Sequence, residues 1–422
     1  MGMQMEKLAY FSKTPGIGGM LKSEPEHFCV EEISQKGEVF AKGEKVSRQA
    51  DSSKPQESAS RFTHFILEKR NWNTNQALGR IADELHIGVA KLSCAGTKDR
   101  TAISTQLCSA FRIEPEKLLS LHIKDISING AWGASKPVEM GDLLGNRFTI
   151  KVEGAKVAGE SASGNVERIA SELNGKIVNY FGEQRFGSNR RNTHLVGADI
   201  VRNDFKRAIE NYLSFIDERE DEEARMARKN LADTQDYQQA LKEFPGYLKY
   251  ERTLLGLLAE NPYDYVNAMR KLPRTLSLMF VHAFQSQLLN ELLSERVKEE
   301  VFDAEEGEYY CKENSYGFPD IEAKSERNEA GKSWLVCKII GFETKESDIS
   351  EREKKILEKY ELTPASFKIK SFPELSSKGS ARTFFTPIKD FAFEPTECVF
   401  KFELSAGSYA TIVMREFLDL EK

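Results

Sequence analysis

The chain has 422 residues, enough for two or more domains at about 150 residues each. Its residues are 40% hydrophobic and 30% charged, which is typical of a soluble globular protein, and no run of about 18 uncharged apolar residues predicts a membrane span. The net charge of −6 excludes a protein that coats nucleic acid nonspecifically, so nucleic-acid binding would require a local basic surface.

The cysteines predict reduced thiols and no metal site. None of the six forms a C-x-x-C pair, and none has the zinc-binding spacing to a histidine. Residues 1–14 contain no basic start followed by an apolar core, so we expect no secretory signal and a cytoplasmic location.

The N-terminal part of the chain holds a glycine-rich turn and a polar segment. The glycines at 16–19 invite comparison with a phosphate-binding loop, but Leu21 occupies the position before Lys22 where that loop requires glycine. The turn instead leads into a predicted strand at 28–33. Lys22 is then either an ordinary surface lysine or a cation delivered to an acidic site. The polar composition of residues 42–60 predicts a mobile loop or linker.

The most informative stretch is 95–106, where Asp99 stands between Lys98 and Arg100 just before a predicted strand at 103–111. A loop entering a strand can hold a side chain on rigid backbone. The neighbouring cations favour the ionised carboxylate and would attract a polyanion. The alternative is an ordinary surface loop with a local ion pair.

A strand, a helix and a strand surround this stretch, and their order predicts a helix packed on a sheet. The first strand is expected at 62–69, and the helix begins with Thr74 or Asn75 as its cap. The other predicted elements of this half are strands at 121–128 and 148–153, a turn at 141–148 and a helix at 165–173.

A second cluster, residues 177–187, combines aromatic, amide and arginine side chains with glycines. Such a loop could stack on a base and form hydrogen bonds to it. It could equally be a packed turn whose aromatic residues belong to the core.

A basic run follows, with six cations and two carboxylates between residues 185 and 207. In an acidic protein this run is a candidate for contact with phosphates, and Arg190 and Arg191 lie at its centre. The alternative is a solvated helix face.

The rest of the chain is mainly helical up to residue 360, with an irregular segment at 300–332. The predicted elements are helices at 217–233, 247–258, 262–272, 276–297 and 348–360, a strand at 334–340, and a hairpin of strands 398–404 and 409–414 around 406–408. Strands at both ends with helices between them predict a helical insertion in a sheet domain.

Four segments form an ordered set of motifs along the chain, at 19–28, 96–106, 179–187 and 404–416. Residues 145–148 and 286–290 add weaker matches. Together these segments resemble the TruD-type tRNA pseudouridine synthases.

The resemblance implies an α+β fold with the mixed, mainly antiparallel sheet and helices of pseudouridine synthases. Residues 1–187 and 371–422 would form the catalytic domain, and 188–370 a largely helical, family-specific inserted domain. It further implies a monomeric isomerase that uses no cofactor, nucleotide or metal and binds no membrane. The substrate would be a uridine in tRNA, commonly at position 13 in the D-arm.

The resemblance also implies roles for individual residues. Asp99 matches the catalytic aspartate, Lys22 the cation that pairs with it, Phe181 the aromatic that packs on the target base, and Asn179 its polar neighbour. The other residues expected to bind substrate are Gln184, Arg185, Phe186, Lys98, Arg100, Arg190 and Arg191.

Two other functions are compatible with the residues. A noncatalytic RNA-binding protein or RNA chaperone on the same fold would keep the basic run but would not need Asp99 with Lys22. A carboxylate-dependent hydrolase of small molecules would lack the salt-dependent RNA affinity that phosphate contacts produce.

Overall fold

The structure, a computed structural model, describes residues 7–47, 61–156, 159–187, 190–327 and 333–419. Residues 48–60 of the predicted mobile segment lie outside these described residues. The strands are β1 (Phe28–Ser34), β2 (Phe62–Arg70), β3 (Leu92–Cys94), β4 (Ile103–Phe111), β5 (Ile126–Ala134), β6 (Leu143–Lys151), β7 (Lys176–Val178), β8 (Tyr309–Glu313), β9 (Pro319–Ser325), β10 (Ser333–Ile339), β11 (Ser380–Thr383), β12 (Phe385–Pro387), β13 (Lys389–Glu394) and β14 (Val399–Ser405). The helices are α1 (Thr74–Glu84), α2 (Pro115–Leu119), α3 (Gly159–Leu173), α4 (Thr193–Val201), α5 (Phe205–Ser214), α6 (Glu222–Thr234), α7 (Tyr237–Glu243), α8 (Lys249–Glu260), α9 (Tyr265–Arg270), α10 (Arg274–Lys298), α11 (Glu351–Lys359) and α12 (Ala410–Leu418).

The chain divides into two compact units. The sheet unit comprises Tyr10–Ile177, Glu313–Pro319 and Thr386–Lys422. The helical unit comprises Met1–Ala9, Val178–Lys312 and Asp320–Phe385. These limits differ from the expected domain boundaries at 188 and 370, which stay a prediction.

The sheet unit is built on one large sheet with the strand order β13-β14-β6-β1-β4-β2-β5, and β3 pairs with β4. β1 and β4 run parallel, whereas the other neighbouring strands run antiparallel. The predicted mixed, mainly antiparallel sheet is therefore confirmed. α1 buries Ala77, Leu78 and Ile81 against Phe65 and Leu67 of β2.

The last helix corrects the prediction of a terminal hairpin. Residues 409–414 were expected to form a strand, but Tyr409 is the N-cap of α12 and the other five residues lie in its first turns. This helix buries Val413, Met414 and Phe417, a helical spacing, and the Phe417 ring lies 5.3 Å from that of Phe400 on β14. The β-branched residues of the segment favour a strand locally, but packing of this face on the sheet stabilises the helix more.

Other differences concern where elements begin. Asn73, rather than Thr74 or Asn75, caps α1, since its side chain accepts a hydrogen bond from the backbone of Gln76. The strand expected at 121–128 begins only at Ile126, and β6 already begins at Leu143, within the expected turn. Elsewhere the strands expected at 28–33, 62–69, 103–111, 334–340 and 398–404 are confirmed.

The helical unit is centred on α10, which is buried along most of its length. α4 packs so close to it that a Cβ on Gly197 would lie 2.0 Å from the carbonyl oxygen of Phe280. A four-stranded sheet with the order β11-β10-β8-β9 accompanies the helices. The segment 300–332, predicted to be irregular, therefore contains two strands, β8 and β9.

Within the residues that the structure describes, no helix is long and apolar enough to cross a membrane. In the same residues, no group of three or more His, Cys, Asp or Glu side chains is arranged to hold a metal ion. All six cysteines are free thiols.

Candidate active site

In the sheet unit, Lys22 and Asp99 form an ion pair. Lys22 Nζ lies 2.6 Å from Asp99 Oδ2, and the Asp99 side chain keeps 41% of its surface exposed. The ammonium also lies 4.4 Å from the centre of the Phe28 ring. Of the two interpretations of Lys22, the structure supports the cation delivered to an acidic site.

The backbone conformation before β1 directs the Lys22 side chain toward Asp99. Lys22 itself has a positive φ of 59°, which is uncommon for a residue with a side chain. Gly19 has a φ of 108°, and a Cβ there would lie 2.4 Å from Cγ1 of Val152. Only glycine fits this close approach. We therefore assign the glycines to the formation of the turn and not to phosphate binding.

A buried network supports the loop that carries Asp99. Lys98 donates its backbone N–H to Thr74 Oγ1 at 2.8 Å, and this hydroxyl donates to Gln106 Oε1 at 2.8 Å. Gln106 Nε2 in turn donates to the carbonyl oxygen of Gly96 at 2.8 Å. Both sides of the loop are thereby tied to α1 and β4.

Lys98 itself points into this network. Its Nζ lies 2.8 Å from Oε2 of Glu32, whose side chain is fully buried. The other Glu32 oxygen accepts the backbone N–H of Leu107 at 3.0 Å. The ammonium of Lys98 is thus committed to an internal carboxylate, and its expected role as a substrate-binding cation is corrected to that of a loop anchor. Arg100, by contrast, is exposed.

The helical unit holds a second cluster around Phe181. Asn290 clamps the backbone of Phe181, because its Oδ1 accepts the N–H at 2.8 Å and its Nδ2 donates to the carbonyl at 2.9 Å. Arg382 lies 4.1 Å from the centre of the Phe181 ring. The same guanidinium donates to the carbonyl oxygen of Asn179 at 2.7 Å and to its Oδ1 at 2.6 Å. Phe181 and Asn179 are therefore held in fixed positions.

Sequence reasoning missed Arg382 and anticipated Asn290 only as part of the weak match at 286–290. Arg382 stands 203 residues from its partner Asn179, and it lies on β11 in a segment without any recognised motif. Only the pairing of β11 in its sheet brings it to the cluster. No local signal could have identified it.

Of the other residues at 184–186 that were expected to bind substrate, two are at least partly exposed and one is buried. Gln184 is exposed, and Arg185 is partly exposed, with its Nε donating to Ser286 Oγ at 3.1 Å. Phe186 is completely buried, edge-on to the His194 ring at 5.4 Å. Its expected contact with substrate is therefore corrected to a core contact. Burial lowers the pKa of His194 to about 4.

The basic run does not form one free cationic surface. The Arg190 guanidinium is nearly buried, donating to the carbonyl oxygen of Tyr212 at 2.6 Å and to Glu251 Oε1 at 3.1 Å, and it lies 3.4 Å from Glu220. Its predicted phosphate contact is corrected to a structural ion pair. Arg191 stays accessible, with 42% of its side chain exposed beside Glu183.

Comparison with known proteins adds to this geometry. The family model described as tRNA pseudouridine synthase D (TruD) matches residues 4–417. The chain belongs to the TruD family. A protein of Methanosarcina acetivorans named "Probable tRNA pseudouridine synthase D" is 33% identical over 98% of this chain and 95% of its own length. One of Archaeoglobus fulgidus with the same name is 35% identical over 98% of this chain and 97% of its own.

A solved structure supports the same conclusion. The crystal structure of a protein described as "Putative tRNA pseudouridine synthase D (TruD)" from Methanosarcina mazei superposes with a TM-score of 0.74 at 31% identity, covering 97% of this chain and 95% of that one. The predicted family, the predicted α+β fold and the assignment to an isomerase class are thereby confirmed. The roles of individual residues within the TruD family site stay predictions.

Proposed function

We propose that this protein converts a uridine in tRNA to pseudouridine and that Asp99 supplies the catalytic carboxylate. The observation that carries this proposal is the accessible Asp99 side chain held 2.6 Å from the Lys22 ammonium. The family membership supports the reaction class. Position 13 in the D-arm is the site that the family resemblance favours.

The chemistry requires an ionised carboxylate. Conversion of uridine breaks the bond from C1′ to N1, rotates the uracil and forms a bond from C1′ to C5, whose hydrogen leaves as a proton while N1 gains one. Asp99 can act as a nucleophile or remove a sugar proton, and both routes need its anionic form. The Lys22 ammonium lies 2.6 Å from this carboxylate as its counter-ion. The carboxylate is restored at the end of either route.

The target base must leave its stack before the glycosidic bond is accessible. An aromatic ring can replace the lost stacking, and Phe181 is the residue we assign to this contact. The clamps of Asn290 and Arg382 on this segment support the assignment, because a ring whose backbone is fixed needs little ordering when the base arrives. Asn179 is buried, and its amide is bonded to Arg382 and Thr383, so its expected polar contact with the base stays a prediction.

Accessible cations supply the expected phosphate contacts. Arg100 and Arg191 are exposed and Arg185 is partly exposed, so these three residues keep the role that Lys98 and Arg190 lose. A monomeric protein in the cytoplasm stays a prediction.

The test is a pseudouridine assay on unmodified total tRNA with the wild type, Asp99→Asn and Asp83→Asn. Asp83 is an exposed aspartate on α1 and serves as the matched control. We expect product with the wild type and Asp83→Asn but none with Asp99→Asn, while tRNA binding persists in all three. Mapping the product would identify the uridine.

Other outcomes decide against parts of the proposal. Undiminished product with Asp99→Asn would remove the carboxylate from the reaction. No product from any of the three proteins, with tRNA binding intact, would favour the noncatalytic RNA-binding alternative. The isomerase class of the family leaves the small-molecule hydrolase without support.

A further inference from the structure

Another lysine, Lys69 on β2, contacts the backbone of the loop that carries Asp99 and has no role in the reaction described above. Its side chain is fully buried. Its Nζ donates to the backbone carbonyl oxygens of Trp72 at 2.5 Å, Asp99 at 2.9 Å and Lys98 at 3.4 Å. An ammonium has three N–H donors, so three carbonyl acceptors use all of them.

Two of these carbonyls flank the Cα of Asp99. The Lys98 carbonyl belongs to the peptide group before that Cα, and the Asp99 carbonyl belongs to the peptide group after it. Fixing both peptide planes restricts the backbone dihedral angles of Asp99, because each residue has only two soft backbone torsions. The direction in which the carboxylate leaves the backbone is thereby restricted as well.

We propose that the Lys69 ammonium is a positioning residue, which holds the backbone of Asp99 so that its carboxylate meets Lys22 and the substrate in one orientation. This inference rests on the proposed catalytic role of Asp99. It assigns to Lys69 no contact with RNA, since the side chain is buried.

The protonated form of Lys69 is needed for this role, and it is lost at moderately alkaline pH. Burial lowers the pKa of Lys69 to about 8. The titratable groups that face it are Asp99 and Lys98 in the loop and Cys108 on β4. Asp99 and Cys108 raise this pKa and Lys98 lowers it, but both effects are smaller than that of burial. A neutral amine keeps two N–H donors for three carbonyls and carries no charge.

The test measures single-turnover pseudouridine formation with enzyme in excess, between about pH 6.5 and 9.5. Lys69→Met removes the ammonium but keeps a long apolar stem. We expect it to lower the single-turnover rate constant about 100-fold, the effect of a slightly misplaced catalytic group. The dissociation constant for tRNA should change by less than about threefold, because the lost interaction serves the reaction rather than binding.

Lys45→Met is the control, at a lysine that is exposed. Lys45 also donates to a backbone carbonyl, that of Ile128 at 3.2 Å, but it lies outside the Asp99 loop. We expect this variant to keep the wild-type rate and pH profile. Lys69→Arg keeps a cation throughout this pH range and should retain more of the rate than Lys69→Met.

The pH profile distinguishes positioning from a merely structural role. We expect the wild-type rate to decline as the pH rises through about 8 and the decline to be absent in Lys69→Met and Lys69→Arg. A wild-type rate that stays constant across this range would overturn the proposal even if Lys69→Met does not fold. Wild-type activity in a folded Lys69→Met would also overturn it.

Failure of the proposed function gives a different result. If wild-type protein forms no pseudouridine, the function itself is wrong. If the wild type is active, Asp99→Asn is inactive and Lys69→Met equals the wild type, only the role of Lys69 is wrong.

Discussion

His194 makes the stability of the helical unit depend on pH. Its imidazole is buried against Phe186, and its Nδ1 has no hydrogen-bond partner among the described residues. Burial lowers its pKa to about 4, whereas a histidine in an unfolded chain titrates near 6.5. Between these values the unfolded chain binds the proton and the folded chain does not. The free energy of unfolding therefore decreases as the pH falls through this window.

We predict that His194 removes about 2 kcal/mol from the free energy of unfolding between pH 7 and pH 5. Urea unfolding at both pH values should show that the free energy of unfolding decreases by about 2 kcal/mol less in His194→Phe than in the wild type. His122→Phe, at an exposed histidine, is the control and should lose as much as the wild type. Equal losses in all three proteins would contradict a buried neutral His194.

At the scale of residues, motifs identified the accessible groups better than the buried ones. The Asp99 segment and Lys22 were predicted together, and the structure places their charged atoms 2.6 Å apart. Lys98 was expected to bind substrate, and its internal partner could not be anticipated because Glu32 lies on β1, next to β4 only through sheet pairing. Burial depends on such long-range contacts, which a local motif does not encode.

Elements were predictable where their pattern agreed with their packing. β4 forms over the expected residues 103–111, and most of its residues are buried because it lies between β1 and β2 inside the sheet. α12 was missed because its Thr-Ile-Val sequence favours a strand locally. The helical spacing of Val413 and Phe417 was the signal that could have identified it. β8 and β9 lack a clear pattern because most of their residues are only partly buried.

The connection between α5, α6 and α8 depends on buried charges. Arg190 and Arg228 both contact Glu220 and Glu251, and the Arg228 side chain is fully buried. Removing one partner of such a group leaves uncompensated charge in the interior, which is costly. Without Arg190, Arg228 would still neutralise both glutamates in part. The loss of stability should therefore lie at the lower end of the range of about 3 to 5 kcal/mol that is typical of a broken buried ion pair.

We predict that Arg190→Ala lowers the free energy of unfolding by about 3 kcal/mol. Arg191→Ala, at the next position, should change it by less than about 0.5 kcal/mol because that arginine is exposed. Denaturant titration of the two variants compares them directly. Equal stabilities would show that Arg190 does not support the fold, and the phosphate contact would again be its best assignment.

At the scale of the whole molecule, an acidic chain must bind a polyanion through few accessible cations. The net charge is −6, and in the basic run Arg190 is nearly buried against carboxylates, whereas Lys206 and Arg207 keep 57% of their side chains exposed beside theirs. Arg100 in the sheet unit and Arg191 in the helical unit remain exposed. Sequence composition predicted that binding would be local, but only the burial of each side chain shows which cations stay accessible.

We predict that Arg100→Ala and Arg191→Ala each weaken tRNA binding and each reduce the slope of log K against log salt concentration by about 1. Their effects should add, because the two residues share no partner in the described part of the chain. Arg80→Ala is the matched control: Arg80 is equally exposed and pairs with Glu84 on α1. Filter binding or fluorescence anisotropy at several salt concentrations gives the slopes. If Arg191→Ala leaves the slope unchanged, Arg191 does not contact the tRNA phosphates. If Arg80→Ala reduces the slope as much as the other two substitutions, the net charge of the protein determines the slope and no particular contact is shown.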